Sequence, residues 1–188
     1  MGIESLQKRQ TFGLEELGLF DATPNKALDL VVGLTAEALG GVVVTLTVFD
    51  DRSGSLYLRT VAGDTTANPG TLGLSHQDSA AALARTDGSV IAISDLGMRQ
   101  DTRNVIERQI FGASGFLAAP IHGPAGDTVA TLAAMTPEEN HWTRHQRRLI
   151  AEYAFLAHQQ IMLRAALHTV RLMGQERDTL GAFTRLPN

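Results

Sequence analysis

The segment that decides the fold is "GFLAAPIHGPAGDTVATLAAM", residues 115–135. Two apolar runs flank "HGPAGD", whose glycine and proline residues predict a turn, so the segment is expected to form a β-hairpin. Both runs are rich in alanine, although strands usually favour β-branched and aromatic side chains. Alternate residues of a strand point to opposite faces, and here both faces are apolar. The sheet is therefore expected to be covered on both sides.

Small side chains in the middle of a covered sheet allow two interpretations. In the first, the alanines leave volume for a small-molecule ligand beneath an irregular covering layer. In the second, they let a helix or loop pack very close to the sheet. The sequence supports both equally.

The segments before this hairpin supply the remaining elements. Residues 23–41 predict a helix with Thr23 as its N-cap and Pro24 at its first position. β-Branched runs, turn residues and short helical patterns predict strands at 42–49, 55–62 and 89–93, short helices at 75–88 and 105–112, and a loop at 63–73. Hairpins mixed with helices, without a regular β-α alternation, predict an α+β fold.

A long helix is expected to end the domain. Thr143 and Gln146 match a capping box, and no proline or glycine follows before Gly174, which predicts a helix of about 45 Å. Apolar residues recur along it in steps of four and three, interrupted by one glutamine: Leu149, Tyr153, Leu156, Gln160, Leu163, Leu167 and Val170. This heptad seam predicts a homodimer with coiled-coil character, and the alternative is a helix packed wholly within one subunit. The tail from Gly174 onward is expected to fray.

A second stripe on the same helix is expected to bury against the domain's own sheet. It consists of Ile150, Ala154, Ala157 and Ile161.

Composition narrows the functional classes. A net charge of −4 over 188 residues gives no support to a nucleic-acid partner. No apolar run approaches the roughly 20 residues that span a bilayer, so no membrane partner is expected. The chain has no cysteine, which excludes disulfides, thiolate metal sites and thiol catalysis. These features predict a cytoplasmic protein.

The order of these elements and their local motifs resemble the GAF domain family. The resemblance covers residues 14–163 and is carried by "LGLFDATPNKALDLVVGLTAEALG", "VIAISDL", the segment 115–135 and "HWTRHQRRLIAEYAFLAHQQI". It implies an antiparallel sheet of five to six strands with the first and last helices on one face. The segment 63–112 would roof a small-molecule pocket on the other face. Residues 1–13 would be an N-terminal extension or helix, and 164–188 the helix continuation and frayed tail.

The implied pocket directs attention to polar and aromatic residues near the roof. The candidate ligand-binding residues are Ser75, His76, Asp95, Arg99, Arg103, Phe111, Phe116 and Ala118. Ser75 and His76 begin the predicted roof helix, whose N-terminus attracts anions. The alternative is a structural role, which the residue types favour at the polar positions: caps for Ser75 and Asp95, and solvated surface charge for the arginines. The phenylalanines are either pocket walls or ordinary core.

No catalytic constellation is found, so no enzyme is expected. His141 and His145 are four residues apart, but Thr143 is expected to cap the helix between them, so no metal site is predicted. No cofactor can be named. Free methionine sulfoxide reductases share the GAF fold and use cysteines, so the cysteine-free chain excludes that activity. The predicted function is a small-molecule sensor that signals through its dimeric helix to a downstream protein. The alternative is a ligand-free dimerisation or scaffold module.

Overall fold

The computed structural model describes residues 14, 16–20, 25–68 and 70–183, apart from the side chains of 71–74 and 176–183. Its elements, in chain order, are α1 (Lys26–Ala38), β1 (Val43–Asp50), β2 (Ser55–Ala62), β3 (Gly70–Ser75), α2 (Ala81–Asp87), β4 (Ile91–Ile93), α3 (Ile106–Phe111), β5 (Gly115–His122), β6 (Thr128–Thr136) and α4 (Arg144–Phe183). The six strands form one antiparallel sheet in the order β3-β2-β1-β6-β5-β4. The predicted α+β class is confirmed.

The hairpin predicted from residues 115–135 is present as β5 and β6. Gly115 pairs with Thr136, and the register runs to His122 opposite Thr128. Gly126 in the turn has φ of +86°, a conformation that glycine adopts without steric cost. On its other side β6 pairs with β1, so the alanine-rich strand lies at the centre of the sheet.

Two buried clusters cover the two faces of the sheet. On one face, α1 and α4 pack over the strands, and this cluster includes Leu117, Ala119 and Leu132. On the opposite face, here called the roof face, α2 and α3 pack over the neighbouring positions of the same strands. The predicted second stripe of α4 is confirmed as a core stripe, because its four residues are all buried in the first cluster.

The start of α1 differs from the prediction. The helix begins at Lys26, and Asn25 caps it by accepting hydrogen bonds from the N–H groups of Ala27 and Leu28 at 3.2 and 3.4 Å. The predicted cap at Thr23 was wrong. Asparagine caps a helix at least as well as threonine, and Asn25 is nearer in sequence to Leu28, the first buried residue of α1. Thr23 and Pro24 themselves lie outside the described residues.

The roof also begins differently. Residues 70–73 were predicted to be loop, but Gly70–Ser75 forms the edge strand β3, with Leu58 opposite Gly70 and Ser55 opposite Ser75. Edge pairing uses main-chain hydrogen bonds and needs no apolar alternation in the sequence. Ser75 therefore ends a strand, and a short 3₁₀ turn separates it from α2.

The last helix extends further than its sequence predicted. Its capping box is confirmed: the N–H of Gln146 donates to Thr143 Oγ1 at 3.2 Å, and the N–H of Thr143 donates to Gln146 Oε1 at 2.9 Å. The helix has 40 residues, about 60 Å, and passes through Gly174 and Gly181. The predicted fraying from Gly174 to Phe183 was wrong, since an interior glycine costs a helix only about 1 kcal/mol. In the described part of the chain, no helix combines the length and apolarity that crossing a membrane requires.

Candidate functional site

The centre of the roof face is packed alanine against alanine. Ala118 and Ala133 lie opposite each other on β5 and β6 and are buried. Ala81 and Ala84 of α2 belong to the same buried cluster. Small residues on both surfaces let helix and sheet approach closely, which favours the second of the two interpretations at this point.

A strip of buried threonines lies beside the alanines on the roof face. We call Thr45, Thr47 and Thr131 the threonine strip; each is at most 6% exposed. Thr47 and Thr131 are directly opposite across β1 and β6. Within the described part of the chain, Thr131 Oγ1 is buried with no hydrogen-bond partner. A buried hydroxyl without a partner costs about 1–3 kcal/mol, so Thr131 carries an unmet hydrogen bond on the roof face.

A buried carboxylate connects the two roof helices. Glu107 of α3 accepts hydrogen bonds from the N–H groups of Ala80 and Ala81 at 2.9 and 3.1 Å, and from the hydroxyl of Ser79. These donors stand at the start of α2, where main-chain N–H groups lack partners within the helix. The chain's own carboxylate thus occupies the anion position at the start of this roof helix.

Two opposing influences act on this carboxyl group. Burial raises the pKa of Glu107, while the hydrogen bonds from Ser79 and the main chain stabilise the carboxylate and oppose the rise. Burial has the larger effect, so the pKa stays above its ordinary value.

His76 is held within a cluster between β2 and α2. Its Nε2 lies 2.8 Å from the carbonyl oxygen of Ser55; since a carbonyl only accepts, Nε2 carries the proton. Its Nδ1 is then left to accept from Arg85 Nη1 at 3.1 Å. Arg85 also donates to both carboxylate oxygens of Asp51, at 2.7 and 2.8 Å, and lies over the ring of Phe49.

Ser75 and Asp95 act as caps. Ser75 is exposed, and its Oγ accepts from the N–H of Gln77 at 3.3 Å. Asp95 accepts from the N–H of Gly97 at 2.7 Å and so caps the 3₁₀ turn that follows β4.

The predicted arginines lie on the surface of the roof. Arg99 donates to both carboxylate oxygens of Asp101 at 2.6 and 3.0 Å, and this pairing raises the pKa of the Arg99 guanidinium. Arg103 is exposed. Phe111 is half-buried against the cluster that contains the fully buried Phe116. The structure brings the two phenylalanines together and leaves the arginines outside.

His141, which lies just before α4, contacts two neighbouring side chains. His141 Nδ1 lies 3.1 Å from Ser94 Oγ, and its Nε2 lies 3.5 Å from a Glu139 oxygen. Across the described residues, no group of three or more potential ligands is placed to hold a metal ion.

An apolar stripe lies on the outward surface of α4. The stripe, called the outer stripe below, consists of four side chains 47–65% exposed: Leu156, Leu163, Leu167 and Val170. These are the distal positions of the predicted seam. The proximal Leu149 and Tyr153 pack partly against the domain's own core, and Gln160 is half-buried. The neighbouring helix α1 exposes Leu30 and Leu34.

A comparison with models of known protein families assigns the chain to a family. The model of the GAF domain matches residues 23–161, most of the sequence. The chain belongs to the GAF domain family. It has no match among curated proteins.

Solved structures of several proteins share the fold of this domain. The chain is similar to a methyl-accepting chemotaxis protein, residues 122 to 287, with a TM-score of 0.63 at 18% identity, covering 82% of this chain and 97% of that one. It is similar to the GAF domain of a phosphoenolpyruvate-protein phosphotransferase from Coxiella burnetii, with a TM-score of 0.59 at 23% identity, covering 86% and 96%. It is also similar to a free methionine-R-sulfoxide reductase from Neisseria meningitidis in complex with its substrate, with a TM-score of 0.61 at 15% identity, covering 74% and 78%. At these identities the likeness shows the fold.

Sequence reasoning missed Glu107, the most buried acidic group described in this GAF domain. In "VIERQIF" it reads as an ordinary surface residue of a short helix, and its partner Ser79 lies 28 residues earlier. One local signal was available: the N-cap residue of α2 is Ala80, whose side chain cannot accept a hydrogen bond.

Proposed function

We propose that this GAF domain is a non-enzymatic sensory module of the cytoplasm. In this proposal it binds a small molecule on the roof face and signals, as a parallel homodimer through α4, to a downstream signalling protein. The observation that carries the proposal is the outer stripe, because a row of exposed leucines at heptad steps is typical of a helix that pairs with another. The absence of cysteine supports a non-enzymatic role, since it removes thiol chemistry.

The length of α4 supports pairing with a second copy. Ala165 is its last buried residue among the side chains described, and the helix continues 18 residues further to Phe183. These 18 residues span about 27 Å and extend beyond the last α4 residue that is buried in the domain's core. An isolated helix of this length is marginal in water, so a partner helix would stabilise it. A parallel pair places each projecting segment against the same segment of the other copy and continues the contact along the outer stripe.

The threonine strip supports ligand binding on the roof face. Thr47 and Thr131 alternate with Leu46 and Leu132, which belong to the cluster beneath α1 and α4. A ligand that shifts the strip therefore also shifts residues in contact with that cluster. Such coupling requires that the ligand bind the two arrangements of α4 with different affinities.

Thr131→Val tests the ligand site. Valine keeps the shape of threonine and removes the orphan hydroxyl, so the empty protein is expected to be about 1 kcal/mol more stable. A small molecule carried by freshly purified wild type should be lost from the variant in native mass spectrometry. Thr60→Val is the matched control, because Thr60 is buried on the opposite face, across from Leu46. Retention of the molecule by Thr131→Val would place the site elsewhere.

The alternative is a ligand-free dimerisation module. Two observations favour it: α2 packs alanine on alanine over the sheet, and Glu107 fills the anion position at the start of that helix. Wild type that carries no small molecule, and that no compound of a metabolite panel stabilises, would favour this alternative.

A further inference from the structure

A pocket of about 300 Å³ lies between α4 and the edge of the sheet. Its lining residues come from β5 and α4: Pro120, His122, Ala151, Ala154, Phe155 and His158. Successive helix residues are turned by about 100°, which places the pocket on the flank of α4 away from the outer stripe. The pocket is therefore distinct from both the seam and the threonine strip.

The sheet edge at this pocket is closed to an added strand. Among the described residues, β4 pairs with β5 only from Phe116 to Ala118, so the following residues of β5 form an edge. Pro120 has no N–H to donate there. The carbonyl oxygen of His122 is already bonded to His158 Nδ1 at 2.8 Å. With these groups removed from pairing, the edge is poorly suited to a peptide strand.

The pocket's chemistry suits a small aromatic molecule. Phe155 exposes 59% of its surface, and its ring centroid lies 6.0 Å from that of His158. Two alanines leave space beside these rings. Because His158 Nδ1 faces a carbonyl, it carries the proton, and Nε2 of the neutral ring keeps a lone pair that can accept. The volume is at the lower end of ligand pockets, which span about 300–1,000 Å³.

We propose that this pocket binds a small aromatic compound with one N–H or O–H donor. The ring packs against Phe155 and the alanines, and the donor bonds His158 Nε2. Such a ligand touches β5 and α4 together and fastens the helix to the sheet edge. The proposal goes beyond the roof-face sensor and does not depend on it.

The test uses indole as the probe and the full chain with labelled alanine methyl groups. Indole is expected to shift the NMR signals of Ala151 and Ala154 in a saturable manner. Phe155→Ala should weaken binding about tenfold through loss of an aromatic contact. Leu156→Ala, the next residue along but on the outer stripe, is the control and should bind indole as wild type does. Ala151→Trp should fill the pocket and abolish binding.

The hydrogen bond has its own test. Wild type should prefer indole over 1-methylindole, which lacks the donor, and His158→Phe should erase that preference. The proposal is overturned if wild type shows no saturable shift, or if Phe155→Ala and Ala151→Trp bind as well as wild type. A preference that persists in His158→Phe would overturn the assignment of the acceptor. Light scattering of the same samples reports the dimer separately, so the two proposals fail independently.

Discussion

Leu156→Glu combined with Leu163→Glu is expected to give a folded monomer, while the wild type is expected to have twice the 20.2 kDa mass of the chain. Both leucines are about half exposed in the single subunit, so the charges leave its fold intact. In the proposed dimer, residues 156 and 163 of one subunit face the same residues of the other subunit. The double variant would therefore bury four carboxylates in the interface. An unpaired buried charge costs several kcal/mol, and each 1.4 kcal/mol weakens association about tenfold. Light scattering measures the mass of each protein, and circular dichroism checks that the variant is folded.

The matched control places the same charge on the other flank of the helix. Phe155→Glu with Ala166→Glu changes two exposed residues that lie outside the outer stripe. This variant should remain dimeric. If the seam variant stays dimeric, or if the control dissociates equally, the outer stripe is not the interface.

Glu107→Ala is expected to lower the free energy of unfolding by about 3 kcal/mol, because it leaves two buried donors without an acceptor. These donors are the hydroxyl of Ser79 and the N–H group of Ala80, whereas the N–H of Ala81 keeps Ser79 Oγ as an acceptor at 3.1 Å. Urea unfolding measures the loss. Glu152→Ala is the control: Glu152 pairs with Arg148 on the exposed surface of α4, and such pairs contribute at most about 1 kcal/mol. Equal effects of the two changes would contradict the role given to Glu107.

The same carboxyl group makes stability depend on pH. Because burial raises the pKa of Glu107 in the folded state, its protonated form favours folding. This contribution is complete below the ordinary carboxyl pKa and is lost as pH rises through the raised value. Relative to Glu107→Gln, which stays neutral, the wild type should therefore lose stability as pH rises through that window. A difference between the two proteins that is constant with pH would exclude a raised pKa.

Features specified by neighbouring residues could be predicted from the sequence. The β5–β6 hairpin follows from two apolar runs and a turn between them, and the α4 capping box from Thr143 and Gln146 three residues apart. The division of α4 into a buried stripe and an outer stripe follows from helical periodicity. Each depends on contacts within a few residues of chain, and each is present in the structure.

Features that depend on tertiary contacts were not predictable in this way. Glu107 reaches Ser79 from another roof segment, and strand β3 is defined by its pairing with β2. Alternation places Thr131 on the roof face, but only the packed structure leaves its hydroxyl without a partner. The pocket beside His158 arises because β4 ends before β5 does and leaves the last residues of β5 without a neighbouring strand. The sequences of the two strands do not predict where their pairing ends.

Cysteine cross-linking tests the parallel α4 dimer most directly. The chain has no cysteine, so one introduced residue is its sole thiol. In a parallel symmetric pair each seam residue lies opposite the same residue of the second subunit, close enough to form a disulfide if both are cysteine. Leu167→Cys is therefore expected to give a disulfide-linked dimer under mild oxidation, and Ala166→Cys, one residue away on the exposed flank, is not. Cross-linking at Ala166→Cys as fast as at Leu167→Cys, or none at Leu167→Cys, would contradict the dimer.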